Sequence, residues 1–234
     1  MNDLTPFFQE PVFDVSDREG LIVHYPFSSD KLPPMPRLHR ADVPPGRWRY
    51  VGIQNTHLPE LDSAGKIVGF FREDESFSPM IRKPWRYRRR LSQYPYVWTP
   101  DISLYTDMPL AEAWVNTYWN RAIGRYWQNR GIKVIPTVSW GNQDTFSFCF
   151  DGIEPGSCVA VSTIKTCSCA GDFMNGFVEL CKKVRPCKVF CYCKPFREMY
   201  GYADIIYLEH EGTRARREAR FGPMPGQQQI CLSC

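Results

Sequence analysis

The stretch YVWTPDISLYTDMPLAEAWVNTYWNRAIGRYWQNRGIKVIPTVSW, residues 96–140, decides the fold. YVWTPDISLY begins as an apolar run of aromatic and β-branched residues, which suits a core strand. Met108-Pro109 then opens a helix, with Asp107 placed to cap it, because proline is tolerated in a first turn and aspartate accepts from unpaired backbone N–H groups. Val115, Trp119, Ala122 and Tyr126 recur at i, i+4, i+7 and i+11, with Ile123 and Trp127 beside them. That wide apolar stripe is made to pack on a sheet, and it leaves Asn116 and Asn120 on another face. Gly131 stands where a helix reverses, and IKVIPTVSW reads as a strand buried on both sides.

The same alternation continues outward. GKIVGFF and residues 50–53 predict earlier strands, and residues 158–164 predict a later one. Phe173, Phe177, Leu180 and Val184 share helical spacing over residues 172–183 and beyond, then RPCKVFCYCK and ADIIYLEH read as strands. Strand, helix and strand in repeated succession predict an α/β domain with a mainly parallel sheet and crossover helices. An open doubly wound sheet and a partial or distorted barrel share this local order. The expected organisation is a Pro-rich irregular N-terminal arm (1–65), the α/β core (66–210), and a basic, then Gly/Pro/Gln-rich tail (211–234).

Composition narrows the class. A chain of 234 residues with 43% hydrophobic content can bury a real core, and its net charge of +4 does not demand a polyanion partner. No apolar run has the length of a membrane span, and MNDLTPFFQEPVFDV lacks the charge-then-apolar order of a secretory signal. These features point to a soluble, cytoplasmic protein with no membrane partner. Ten cysteines all fall within residues 149–234, and in a reducing compartment they are expected as thiols or metal ligands.

In either architecture, sites form beyond the carboxyl ends of the strands. Those ends supply Thr99, Asp101 and Ser103; Ser139, Trp140, Asn142 and Asp144; Ser162, Thr163 and Lys165; and Tyr192, Cys193 and Lys194. Asp101, Asn142 and Lys194 are the candidate catalytic groups. Trp140, Ser139, Ser162, Thr163 and Tyr192 are the candidate substrate contacts. The plain alternative is that Asp101 anchors the loop after Pro100 and Trp140 fills a core rim. No nucleophile elbow, phosphate loop, dinucleotide fingerprint or zinc-protease helix is present.

Two further groupings invite weighing. Arg82, Lys83, Arg86, Arg88, Arg89 and Arg90, with Arg214, Arg216 and Arg217 near the end, suit contacts to nucleic-acid phosphates, with Trp85 and Tyr87 to stack bases. A solvated helix face is the simpler reading. Cys167 and Cys169 follow the third core strand, and Cys191 and Cys193 belong to the fourth. Residues two apart in an extended segment face one way, so adjacent strands would bring four thiols together for zinc or an iron–sulfur cluster. The terminal pair Cys231 and Cys234 has ligand spacing in a loose tail. Cys149, Cys158, Cys181 and Cys187 read as small apolar fillers.

GFFREDESFSPMIRKPWRYRRRLSQYPYVWTPDISLYTDMP, NTYWNRAIGRYWQNRGIKVIPTVSW and CFDGIEPGSCVAVSTI together resemble a domain-of-unknown-function family common in bacteria, phages and other mobile elements. The resemblance extends over residues 69–207. It implies a context and no activity. In that family the arginine-rich stretch is an ordinary helix of the pattern P-x-R-Y-x-x-x-L, matched by Pro84, Arg86, Tyr87 and Leu91. The family's fourth strand ends in Tyr-Gly, whereas Tyr192 here precedes Cys193, so a cysteine metal site would be peculiar to this member.

The leading expectation is a nucleic-acid-associated protein of a phage or mobile element, binding single-stranded DNA or RNA through the basic clusters. One alternative is a small-molecule or nucleotide enzyme using Asp101 as acid or base. Another is a protein-binding module that blocks a host defence factor, with a host protein as partner.

Overall fold

The computed structural model describes residues 35–57, 62–71, 83–164, 166 and 169–221. Seven parallel strands form the frame: β1 (Arg49–Gly52), β2 (Lys66–Gly69), β3 (Tyr96–Trp98), β4 (Val134–Ile135), β5 (Cys158–Ser162), β6 (Lys188–Tyr192) and β7 (Ile205–Leu208). The helices are α1 (Arg88–Leu91), α2 (Leu110–Gln128), α3 (Ala170–Val184) and α4 (Glu211–Phe221). The fold class is thus the expected one, α/β with parallel strands and helical crossovers.

The ladder runs β1-β2-β3-β4 and, separately, β5-β6-β7. Proline explains the division. Pro136 continues β4 but has no N–H, so only a short bridge joins the two sheets. There Ala160 N donates to Pro136 O (2.8 Å), and Val138 N donates to Ala160 O (2.8 Å). On the other side of β4, threonine side chains extend the pairing. Thr137 N donates to Thr99 Oγ1 (2.8 Å), and Thr137 Oγ1 donates to Thr99 O (2.9 Å).

The strands curve until the two sheets share one interior. Cys158, Ala160, Phe190 and Tyr192 point into the core built by β1–β4, while their neighbours Val159, Val161, Val189 and Cys191 point out against α3. Tyr50 of β1 meets Tyr192 of β6 at 4.2 Å between ring centroids, and Phe71 stacks on Tyr192 at 5.3 Å. Such aromatic pairs add about 0.5–1.5 kcal/mol each beyond their burial. Gly69 makes room for them, since a Cβ there would lie 2.2 Å from the Tyr50 ring and 2.5 Å from Trp98. Both faces of each central strand are buried, which is why these strands read as continuous apolar runs.

No ladder joins β7 to β1 among the described residues. Helix α4 covers that edge. Gly52 N donates to Glu211 Oε1 (2.9 Å) and Arg214 Nη1 donates to Tyr50 O (2.9 Å), so side chains serve the backbone groups a further strand would have served. The stretch read as the start of a basic tail is, over Glu211–Phe221, a helix docked on β1. Likewise β1, within the stretch read as an arm, is an edge of the core sheet.

Helix α2 departs from its sequence reading at its start. Pro109, with extended ψ of 135°, occupies the cap position, and Asp107 is exposed before it. Asn116 and Asn120, on a face apart from the apolar stripe, are buried as well. They face loop carbonyls: Asn116 Nδ2 donates to Ser103 O (3.0 Å), and Asn120 Nδ2 to Pro100 O (2.6 Å) and Thr137 O (3.3 Å). Two asparagines on one helix thereby fix the loops that leave β3 and β4.

Candidate functional site

Beyond the carboxyl ends of β2 to β5 lies a cleft of about 180 Å³. Asp101, Ser103 and Tyr105 come from the loop after β3, Ser139 and Trp140 from the end of β4, and Ser162 and Thr166 from β5 and its loop. Phe71 and Phe173 complete the walls. Parallel strands deliver these side chains together because successive crossovers return the chain in the same direction, so every strand ends on the same side.

Trp140 is set by packing. Its ring lies 5.1 Å from Phe173 and 6.1 Å from Phe150, and it packs against Gly176 of α3. Phe71 N donates to Tyr50 Oη (3.2 Å), which ties the cleft wall to the interior. Burial raises the Tyr50 phenol well above its usual range, and Tyr192, Glu211 and finally Asp101 add to the rise, so this hydroxyl is neutral beside the Asp101 carboxylate.

Beneath the cleft, Arg121 is buried. Its Nε donates to Asp151 O (3.0 Å), Nη2 to Cys149 O (2.8 Å), and Nη1 to Thr137 O (3.2 Å) and to Asn120 Oδ1. Burial draws its pKa down to about 10, still far above neutrality, so a cation holds the segment after Trp140 against β4. Sequence reasoning passed over Arg121. Its only signal was a basic residue inside an apolar helical stripe.

The structure brings together Asp101, Ser139, Trp140 and Ser162, and adds Phe71, Tyr105, Thr166 and Phe173 to them. The others lie elsewhere. Asn142 caps the short helical turn Gln143–Ser147, its side chain accepting from Asp144 N (3.1 Å). Thr163 is buried and donates to Lys194 O (2.9 Å) and Tyr192 O (3.3 Å). Tyr192 belongs to the interior, where burial pushes its phenol well up, and Lys194 is exposed away from the lining. Lys165 is outside the described residues.

The basic residues occupy two places. Pro84–Tyr87 and α1 form a turn fixed by Trp127 Nε1, which donates to Pro84 O (3.3 Å). Lys83, Arg86, Arg88 and Arg89 are exposed, Arg90 is half-buried, and none of the five makes an ion pair among the described residues. This turn precedes β3, so it lies at the end of the sheet opposite the cleft. On α4, Arg214 serves Tyr50 O, Arg217 pairs with Glu209 (3.0 Å), and Arg216 is exposed. Arg82 is outside the described residues.

Of the four thiols, Cys191 and Cys193 do not face one way as the strand rule suggested. Cys191 points outward toward α3, whereas Cys193 has φ of 72° and turns its side chain to the inner core. That left-handed residue breaks the alternation on which the expectation rested. Cys169 is exposed at the start of α3, and Cys167, Cys231 and Cys234 are outside the described residues. Among the described residues, no three His, Cys, Asp or Glu side chains are grouped to hold a metal ion. No helix among them is long and apolar enough to cross a membrane.

A family described as Domain of unknown function (DUF4417) matches residues 27–210, a span that holds the cleft and all seven strands. The chain is 37% identical over 171 residues to the Gene 1 protein of Mycobacterium phage L5, covering 71% of this chain and 73% of the phage protein. It is 39% identical over 132 residues to the Gene 1 protein of Mycobacterium phage D29, covering 55% of this chain and 49% of that protein. The chain thus spans about half the length of the second relative. No solved structure matches.

Proposed function

The chain belongs to the DUF4417 family, whose relatives here are phage proteins, and from that premise we propose that its cleft binds a small polyhydroxylated ligand, a sugar or nucleoside. The observation that carries the reading is the convergence of Asp101, Ser103, Ser139, Trp140 and Ser162 past the ends of adjacent strands with Phe173 of α3. Hydroxyls both donate and accept, a carboxylate accepts from two ligand hydroxyls at once, and an aromatic face covers the apolar side of a sugar or base. Asp101 is the group placed to take a proton if the site is catalytic. The test is calorimetric titration of nucleosides and monosaccharides against the wild type, Asp101→Asn and Trp140→Ala. Binding that Asp101→Asn weakens tenfold or more, with melting unchanged, supports the reading. Binding untouched by both substitutions sinks it.

A second reading, nucleic-acid association, is favoured by the exposed Arg86, Arg88 and Arg89 without ion pairs among the described residues. Each phosphate contact adds about 0.7–0.9 to the slope of log K against log salt. Replacing all three arginines with alanine is therefore expected to flatten the slope for single-stranded DNA or RNA by two to three. An unchanged slope excludes this turn as the interface.

A further inference from the structure

We propose that Cys158 and Cys187 form a redox-modifiable dithiol, which a peroxide converts to a disulfide tying the amino ends of β5 and β6. This site is independent of the cleft chemistry. The two sulfurs stand 3.1 Å apart, and among the described residues no other two thiols are in contact. Cys158 opens β5 in register with Lys188, and Cys187 immediately precedes β6, its N donating to Ser157 O (3.3 Å), so the two cysteines stand one residue out of register at the amino ends of neighbouring strands. Residues one step out of register on strands about 4.8 Å apart are separated by roughly 6 Å at Cα, within the range that disulfides span. Bond formation at about 2.05 Å requires the sulfurs to close by roughly 1 Å.

Access is asymmetric. Cys187 is exposed and Cys158 is buried, and a hollow of about 340 Å³ opens on both, lined also by Arg40, Asp42, Pro44 and Gly156. Cys187 therefore meets the oxidant first. Its sulfur attacks the peroxide: an S–O bond forms, the O–O bond breaks, and one water leaves, giving the sulfenic acid. The Cys158 sulfur then displaces the sulfenic oxygen, which departs as a second water with the Cys158 proton. Two thiols lose two electrons in all, and hydrogen peroxide gains them. Burial and the adjacent Cys187 push the Cys158 thiol up to about 12, so it is not the first target; its 3.1 Å distance from the Cys187 sulfur is what makes it the resolving partner. A pair of thiols packed merely as apolar filler would lack both the exposed partner and the hollow.

The bridge would close the β5–α3 crossover, which carries Ser162, Thr166 and Phe173 of the cleft, into a covalent loop. A closed loop of this length restricts the unfolded chain, and the oxidised protein is expected to melt about 5–10 °C higher. The experiment treats the full chain with stoichiometric hydrogen peroxide, alkylates remaining thiols, and maps the non-reduced peptides by mass. The expected result is a Cys158–Cys187 linked peptide lighter by two hydrogens, a rise in Tm reversed by a dithiol reductant, and loss of both in Cys187→Ser. Because Cys187 is exposed, that variant keeps the core intact, and its Tm without oxidant checks this. Oxidation of Cys187 to the sulfinic acid without a link, a link to a different cysteine, or a linked protein whose Tm is unmoved would each overturn the proposal.

Discussion

Trp140 owes its place in the cleft wall to an absent side chain. A Cβ on Gly176 would lie 2.2 Å from Trp140 Cδ1 and Nε1, within the middle of α3. Gly176→Ala therefore sets two effects against each other. Alanine improves helix propensity by about 1 kcal/mol over glycine. The added methyl must displace a rigid indole already held by Phe173 and Phe150, and overpacking of this kind costs about 1–3 kcal/mol, with a ring contact this short at the upper end. The net expectation is a loss of about 1–2 kcal/mol, or about 3–6 °C in Tm for a chain of this size. Gly171, in the first turn of the same helix, is the control: nothing lies within 4 Å of its Cβ position. Gly171→Ala should gain about 0.4–1 kcal/mol. Thermal and urea denaturation of the two variants, with tryptophan emission followed alongside, reads both signs. Should Gly176→Ala prove as stable as Gly171→Ala, the indole does not rest on that glycine and the cleft wall is wrongly understood.

Three other outcomes are expected. Arg121→Met removes the donors of Cys149 O, Asn120 Oδ1 and the exposed Asp151 O, while Thr137 O keeps Asn120; two orphaned buried acceptors, Cys149 O and Asn120 Oδ1, at about 1–3 kcal/mol each, less the relief of unburying a charge, predict a loss of about 3 kcal/mol by urea denaturation, and a change under 0.5 would refute the role given to this cation. Glu211→Ala leaves Gly52 N–H without its acceptor and loosens α4, so stability should fall by about 1–2 kcal/mol and the Gly52 amide should exchange faster; unchanged exchange would show that α4 does not cap the β1 edge. The carboxyl of Glu154 is held below its usual range, first by the Arg40 backbone N–H and then by His39. A depressed acid contributes fully above its ordinary range and loses its contribution as pH falls through the lowered value. The Arg40 amide resonance should accordingly hold steady from pH 7 to 5 and shift only below the ordinary glutamate range, whereas Glu154→Gln shows the shifted position throughout; a shift already complete above pH 5 would refute this.

Some elements announced themselves locally. Phe173, Phe177, Leu180 and Val184 repeat at helical spacing, and all four are buried on α3. Asp101, Ser139, Trp140 and Ser162 could be named as a set because a parallel sheet delivers its strand ends to one side, whatever the loops do. The same rule would have offered Phe71, the second residue past β2, had aromatic ends been weighed with polar ones. Asn142 and Thr163 obeyed the rule in sequence, yet Asn142 caps its own loop and Thr163 turns to carbonyls at the end of β6, as short polar side chains do when a backbone N–H or C=O is nearer than the cleft.

Sequence by itself determined the order of strands and crossovers, the parallel sheet and the side on which a site would form, because periodicity and chirality act over a few residues at a time. Tertiary structure alone decided four things. Pro136 divides the ladder into four strands and three, α4 and not a strand covers β1, Arg121 is buried among carbonyls, and the basic turn sits at the far end from the cleft. Each depends on which distant groups meet once the sheet has curved, and burial, unlike periodicity, is a property of the whole packed chain.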